Sequence, residues 1–200
     1  MHLERSIEDV FAQINRVRHS PHDYALHHQD IESHYQGKLF RGRFKTREGP
    51  KAAKDLLYDL KNRHSNEHPL KWSFGLHMLA DEKARLLGET GLSTTEGSSH
   101  HRSLPQRASD YVVLKGRVSE VVDFGADSPD EVIESVLIDD GLGSRKRRAT
   151  LLDPVYQYAG VGTALHSQFG VVVVIVLAED VVSLGKVVMR KLLRGRRATS

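Results

Sequence analysis

The longest apolar run in the chain reads FGVVVVIVLA and occupies residues 169–178. It is half as long as the roughly 20 residues that a membrane-spanning helix needs, and its valines favour extended structure, so it predicts a β-strand. Its apolar residues follow one another without alternation, which is typical of a strand that is buried on both faces. We therefore expect a sheet covered by helices on both sides, a three-layer α-β-α sandwich.

The segments around this run supply the other elements of such a fold. Residues 158–165 and 111–124 predict two more strands, the second of which is interrupted at Gly116. Apolar residues at helical spacing, bounded by capping residues, prolines and glycines, predict the helices. The predicted helices are residues 6–17, with Ser6 as the N-cap, 22–35, which is polar and rich in histidine, 50–62, 73–87 and 128–137. Residues 37–45 and 91–103 are predicted loops.

The positive charge of the chain is concentrated at its C-terminal end. Lysine and arginine number 29 against 26 aspartate and glutamate, which gives a net charge of +3. From residue 181 onward there are six basic residues and no acidic one: Lys186, Arg190, Lys191, Arg194, Arg196 and Arg197. Because the rest of the chain then carries −3, we predict one domain over residues 1–180 and a basic tail over residues 181–200. The tail is expected to bind an acidic protein surface or an anionic membrane, not a specific nucleic acid.

Cysteine does not occur in the chain. Disulfides and thiolate zinc sites are therefore excluded, and small secreted domains commonly depend on one or the other. The first 20 residues also lack the apolar segment of a signal peptide and carry acids at Glu4, Glu8 and Asp9. These features favour a cytoplasmic protein.

The most specific motif of the sequence is VLIDDG at residues 136–141, followed by SRKRR at residues 144–148 and by Asp153-Pro154. At matching spacing, these segments resemble the LLIDDG, SRGHR and NP motifs of the CAP superfamily, the cysteine-rich secretory, antigen 5 and pathogenesis-related proteins. Shorter segments also resemble microbial members of this family: INRVR at 14–18, TREG at 46–49 and LKWS at 70–73. The resemblance spans residues 14–178 and implies an α+β fold with a mostly antiparallel central sheet.

The resemblance also implies a cleft in which two histidines and two acids can hold a divalent cation such as zinc. By motif position, the first histidine is His101 or its neighbour His100, and the acids are Glu120 and Asp139. Arg147 stands where the family has its second histidine. A guanidinium group offers hydrogen-bond donors and no lone pair, so Arg147 cannot be a zinc ligand. We predict that its charge balances Glu120 and Asp139 in a degenerate cleft that holds neither metal nor cofactor.

A non-enzymatic role is therefore expected. A hydrolase would have to combine Ser99 or Ser119 with His100 or His101 and Glu120, but no nucleophile motif surrounds either serine. We expect a binding or structural component of a larger cytoplasmic assembly, with acidic polymers such as microtubules, and hence tubulin, as candidate partners. The alternative is a secreted CAP effector that binds lipid, sterol or a host receptor, as relatives do.

Overall fold

The computed structural model describes residues 3–93, 102–141 and 143–184. Its helices are α1 (Leu3–His19), α2 (Pro21–His27), α3 (Pro50–Asn62), α4 (Phe74–Thr90), α5 (Leu104–Ala108), α6 (Pro129–Ile138) and α7 (Lys146–Leu152). Its strands are β1 (Tyr35–Gln36), β2 (Leu39–Phe40), β3 (Phe44–Lys45), β4 (Lys71–Trp72), β5 (Val112–Phe124), β6 (Tyr158–His166) and β7 (Gly170–Ser183). The described residues form two compact units, which we call the sheet unit (70–93, 102–125 and 155–184) and the helical unit (3–69, 126–141 and 143–154).

The sheet unit is built on four strands in the order β4-β6-β7-β5. Strand β7 pairs antiparallel with both β5 and β6, and the two-residue β4 pairs parallel with β6. The apolar run lies in β7, and its residues 172–178 are buried. The predicted strands and the mostly antiparallel sheet are thus confirmed. Strand β7 continues to Ser183, so residues 181–183 of the predicted tail belong to the sheet.

Helix α4 packs on β6 and β7, and glycines set its distance from β6. A Cβ atom on Gly160 would lie 2.1 Å from the amide nitrogen of His77, and one on Gly162 would lie 2.3 Å from that of Asp81. Both contacts are far below van der Waals distance and involve helix backbone, which cannot rotate away. The close approach of helix and strand therefore requires a residue without a side chain at both positions.

The same close approach explains why α4 is longer than predicted. Gly88 and Gly91 both predict a helix end, but Gly88 lies inside the helix. A Cβ on Gly88 would lie 2.1 Å from the carbonyl oxygen of Leu165, so glycine is needed there for packing. The helix ends instead at Thr90, because Gly91 takes the left-handed conformation (φ 65°) of a C-terminal cap.

The predicted interruption of β5 at Gly116 is a β-bulge within a continuous strand. The register between β5 and β7 shifts between Lys115 and Val118, and Gly116 has a φ of 93°. Opposite the bulge, the Glu179 carboxylate accepts the backbone N–H of Arg117 at 3.1 Å and lies 3.7 Å from its guanidinium Nε. The bulge is therefore held by side-chain contacts as well as by backbone conformation.

In the helical unit, α6 contacts α1, α3 and α7, and α2 contacts α1 and α3. The core side chains shared by α1, α3 and α6 are at most 1% exposed: Ile14, Leu56, Leu60, Ile133 and Leu137. The predictions for residues 50–62 and 128–137 are confirmed by α3 and α6. Within the described parts of the chain, no helix is both long and apolar enough to cross a membrane.

The predicted histidine-rich helix over residues 22–35 is wrong beyond His27. The rings of His27 and His28 bind the carbonyl oxygens of Asp23 and Tyr24 at 2.7 and 2.9 Å. These carbonyls lie one turn back in α2, so each ring folds back onto the end of the helix and does not continue it. A 3-10 turn, Ile31–His34, follows before β1.

The predicted loop over residues 37–45 is also wrong, because β1, β2 and β3 form a small antiparallel sheet there. Each of these strands has two residues, too few to show an alternating pattern in the sequence. Helices α5 and α7, of five and seven residues, were likewise not predicted from periodicity. The predicted N-cap at Ser6 is wrong because α1 already begins at Leu3.

Candidate functional site

Asp139 ends α6 in the left-handed conformation (φ 48°) and is fully buried. Its Oδ1 accepts the Nε–H of Arg147 at 2.8 Å. Its Oδ2 accepts the backbone N–H groups of Arg147 and Arg148 at 2.7 and 3.4 Å. These amides belong to the first turn of α7, so the carboxylate caps that helix and pairs with Arg147 at the same time. The ion pair between Arg147 and Asp139 that was predicted from the sequence is present.

This arrangement decides what the Asp139 carboxylate can do. Both oxygens of this carboxylate already accept N–H groups, from the backbone or from a guanidinium. Asp139 is 0% exposed, and the Arg147 side chain that pairs with it is 32% exposed. A metal ion needs oxygen lone pairs that point into an open coordination site. The geometry at Asp139 favours a structural ion pair over metal ligation.

Glu120 lies on β5 in the sheet unit, where its Oε2 accepts a hydrogen bond from Arg107 Nη2 at 2.7 Å. Both side chains are largely buried, at 11% and 12% exposure. Lys83 of α4 is a third charged group of this cluster and is itself buried. Burial lowers the pKa of Lys83, the charge of Glu120 raises it, and that of Arg107 lowers it. The second half of the prediction, that the charge of Arg147 also balances Glu120, concerns residues of different units and stays a prediction.

The remaining predicted site residues lie outside the described parts of the chain. These are His100 and His101 of the cleft and Lys186, Arg190, Lys191, Arg194, Arg196 and Arg197 of the tail. Within residues 3–93, 102–141 and 143–184, no three histidine, aspartate or glutamate side chains are grouped so that they could hold a metal ion.

Ser119 is the serine of the hydrolase alternative that the structure describes. Its Oγ lies 2.6 Å from the hydroxyl of Tyr156, and either group can be the donor. A serine nucleophile needs a neighbouring base, usually histidine, to take its proton. The side-chain partner that the structure shows for Ser119 is a phenol hydroxyl and not a histidine.

A second cluster of charges joins the loop before α3 to the loop after α6, and we call it the loop clasp (Arg47, Glu48, Asp140, Gly141 and Arg145). Asp140 accepts the backbone N–H groups of Arg47 and Glu48 at 2.6 and 2.9 Å. In return, Glu48 accepts the N–H of Gly141 at 2.8 Å and two guanidinium bonds from Arg145 at 2.6 and 2.8 Å. Each loop thus supplies a carboxylate to the backbone of the other.

The comparison with known families identifies the fold to which these clusters belong. A family model described as "CAP: Cysteine-rich secretory protein family" matches residues 11–177, more than four fifths of the chain. The chain belongs to the CAP family. The predicted α+β CAP fold is therefore confirmed.

The comparisons with solved structures and with curated proteins give no further assignment for this CAP domain. An outer surface protein from Borrelia burgdorferi is similar to it with a TM-score of 0.46 and 18% sequence identity, over 65% of this chain and 94% of that one. No curated protein matches the chain significantly.

The loop clasp gives a physical reason for two motifs of this CAP chain, TREG at 46–49 and the DDG of residues 139–141. They are about 90 residues apart, and each contains the carboxylate that binds the backbone of the other. Sequence analysis singled out both motifs but not their contact, because pairing across such a separation leaves no local pattern. The pairing of Arg107 with Glu120 and the burial of Lys83 were not predicted either, because a basic residue in an amphipathic segment usually lies at the surface.

Protonation of Glu48 should weaken the loop clasp in acid. The guanidinium of Arg145 and then the N–H of Gly141 lower the pKa of Glu48 from 4.5 to about 2. Because this pKa is lower in the folded than in the unfolded chain, the stability that Glu48 contributes is complete above about pH 4.5 and is lost as the pH falls towards 2. We expect Glu48→Gln to lower the free energy of unfolding by about 1.5–3 kcal/mol at pH 7. Urea unfolding from pH 7 to 2.5 checks this: the difference between the two proteins should shrink below pH 4.5, and a constant difference would contradict it.

Proposed function

We propose that this CAP domain is non-catalytic and acts in the cytoplasm by binding an acidic partner. The observation that carries the proposal is that each acid of the family's cleft is already engaged by an arginine of its own unit. Asp139 is paired with Arg147 at 2.8 Å, and Glu120 with Arg107 at 2.7 Å. Guanidinium groups stay protonated at every physiological pH, so they neither ligate a metal nor act as a general base.

The first test concerns the cation site. Isothermal titration of the purified full chain with zinc chloride should show no 1:1 binding tighter than about 10 µM, because Arg147 occupies the Asp139 carboxylate. Arg147→His restores an imidazole and removes the competing cation, so this variant should bind zinc at least tenfold more tightly, about 1.4 kcal/mol.

The matched control for this titration is Asp139→Asn, which keeps the shape of the side chain and removes its charge. Weak binding to surface histidines should be the same in the original chain and in this variant. Tight 1:1 zinc binding by the original chain that disappears in Asp139→Asn would contradict the proposal.

The acidic partner is inferred from the tail, whose six basic residues have no acidic neighbour after residue 180. Such a segment is attracted to surfaces of opposite charge, and microtubules are a candidate of this kind. Since β7 continues to Ser183, deleting residues from 181 onward would remove part of the sheet. Replacing the six basic side chains with glutamine tests the tail without shortening the strand.

In a co-sedimentation assay with polymerised tubulin, the six-glutamine tail variant should bind at least tenfold more weakly than the unchanged chain. Binding of the unchanged chain should also fall when salt rises from 50 to 300 mM, because salt screens exposed charges. The matched control replaces an equal number of exposed basic residues elsewhere with glutamine: Lys51, Lys54, Lys71, Arg85, Lys115 and Arg117. Equal loss of binding in both variants would show that the tail has no special role.

A further inference from the structure

The helical unit contains a cavity of about 540 Å³ where the C-terminal ends of α1, α3 and α7 meet. Its walls come from Arg18 of α1, from Asp59, Asn62 and Arg63 of α3, from residues 64–68, and from Leu152 and Pro154. This volume lies in the range of pockets that hold small molecules. Neither Asp139 nor Arg147 lines this cavity, so an occupant would be a ligand beyond the proposed function.

The chemistry of the wall is dominated by hydrogen-bond donors. Asn66 is oriented by the backbone N–H of His68, which donates to its Oδ1 at 3.1 Å, so its Nδ2 is left as the donor. Arg63 uses Nη2 for both oxygens of Asp59 at 3.0 Å. In the part of the chain that the structure describes, neither Asn66 Nδ2 nor Arg63 Nε has an acceptor, although both atoms are buried. Buried donors of this kind call for an acceptor from outside the chain, a water molecule or an anion.

Positive charge is buried in the same wall. Arg18 is 3% exposed and donates from Nη1 to the carbonyl oxygens of Leu151 and Asp153 at 2.7 and 3.0 Å. Burial lowers the pKa of Arg18 to about 10, and the charge of Asp153 opposes this shift. A buried guanidinium that has lost part of its hydration stabilises a nearby anion.

The wall also holds two acids, Asp59 and Glu67, against its two arginines, so its formal charges balance and only their placement differs. Asp59 is shared, since it binds Arg63 at 3.0 Å and lies 3.6 Å from the buried guanidinium of Arg148. Glu67 belongs to the exposed side of the wall. We propose that this cavity is a binding site for a small oxyanion, a molecule that carries a phosphate or a carboxylate group. Arg18, Arg63 and Asn66 are the residues that would bind it.

Thermal unfolding of the full chain tests the site, with inorganic phosphate and citrate as the two probes at constant ionic strength. If phosphate binds with a Kd of about 1 mM, 20 mM of it should raise the Tm by about 4–7 °C. A shift with phosphate alone, with citrate alone or with both supports the site and tells which oxyanion it accepts. No shift with either probe would overturn the proposal.

The decisive variant is Asn66→Asp, which keeps the oxygen that accepts the His68 N–H and replaces the donor with a second oxygen. The new carboxylate turns a donor of the proposed site into an acceptor and adds a negative charge that repels an oxyanion. The shift caused by phosphate or citrate should therefore disappear. An unchanged shift in this variant would assign the effect to general salt stabilisation and overturn the proposal.

Arg63→Gln provides a second variant, in which loss of the guanidinium should reduce the ligand-induced Tm shift by at least half. Arg85→Gln is the matched control, because Arg85 forms the same kind of helical pair, with Asp81 at 2.8 Å, in the sheet unit. Its ligand-induced shift should equal that of the unchanged chain. An equal reduction in both arginine variants would also overturn the proposal.

Discussion

Replacing Gly162 with alanine should lower the free energy of unfolding by about 3–5 kcal/mol, a large part of the stability of an ordinary domain. The added methyl would lie 2.3–2.5 Å from backbone atoms of Ala80 and Asp81 in α4. Because these atoms belong to the helix backbone, the clash can be relieved only by moving α4 away from β6. That movement would open gaps in the tightly packed core beneath the helix, where Leu79 and Ala80 are 0% exposed.

Urea unfolding followed by circular dichroism measures this effect as a lower midpoint with an unchanged slope. Gly143→Ala is the matched control, because no atom lies within 4 Å of the Cβ that it would add. The control should change stability by less than about 0.5 kcal/mol. A Gly162→Ala variant that unfolds within 1 kcal/mol of the original chain would mean that helix and strand are not in such close contact.

Replacing Asp139 with alanine should cost about 3–5 kcal/mol, the usual penalty for removing one partner of a buried ion pair. Asp139 is 0% exposed, and without it the first amides of α7, those of Arg147 and Arg148, lose their acceptor. Alanine also tolerates the left-handed conformation of this residue poorly, at a cost of about 1 kcal/mol. The expected result is a lower urea midpoint at pH 7.

Asp139→Asn separates the charge from the shape of this side chain. Asparagine tolerates the left-handed conformation and its carbonyl can still accept a backbone N–H, so the expected loss is about half that of alanine. Combining Asp139→Asn with Arg147→Gln should cost less than the sum of the two single changes, because both remove the same ion pair. Additive costs would show that Arg147 and Asp139 contribute independently.

The elements that sequence analysis predicted well are those with long, regular patterns. The apolar run predicted β7 and its burial, and the helical spacing of leucines predicted α3 and α4. These patterns can be read from the sequence because the buried face of each element determines which of its residues are apolar. Short elements were missed for the opposite reason. Two-residue strands such as β2 and a seven-residue helix such as α7 depend on contacts with distant residues, for example the ion pair of Arg148 in α7 with Asp55 in α3.

The candidate site was predictable only in part. The ion pair of Arg147 with Asp139 followed from one substitution in a motif, because the two residues are eight positions apart and share one loop and helix start. The partner of Glu120, Arg107, is 13 positions away on another element, so no local pattern indicates that the two side chains pair. The cavity is built from side chains of three helices and a loop, and its missing acceptors become visible only when every hydrogen bond is assigned.

The bulge in β5 also bears on how readily another polypeptide could pair with this strand. Strand β5 is an outer strand of the sheet, and an unbroken outer strand of 13 residues is a template onto which another polypeptide can add. At Gly116 and Arg117 the backbone kinks and presents charged side chains on both flanks, so a straight incoming strand meets a break in register and a positive charge. The irregularity thus makes the middle of β5 a poor template for strand addition.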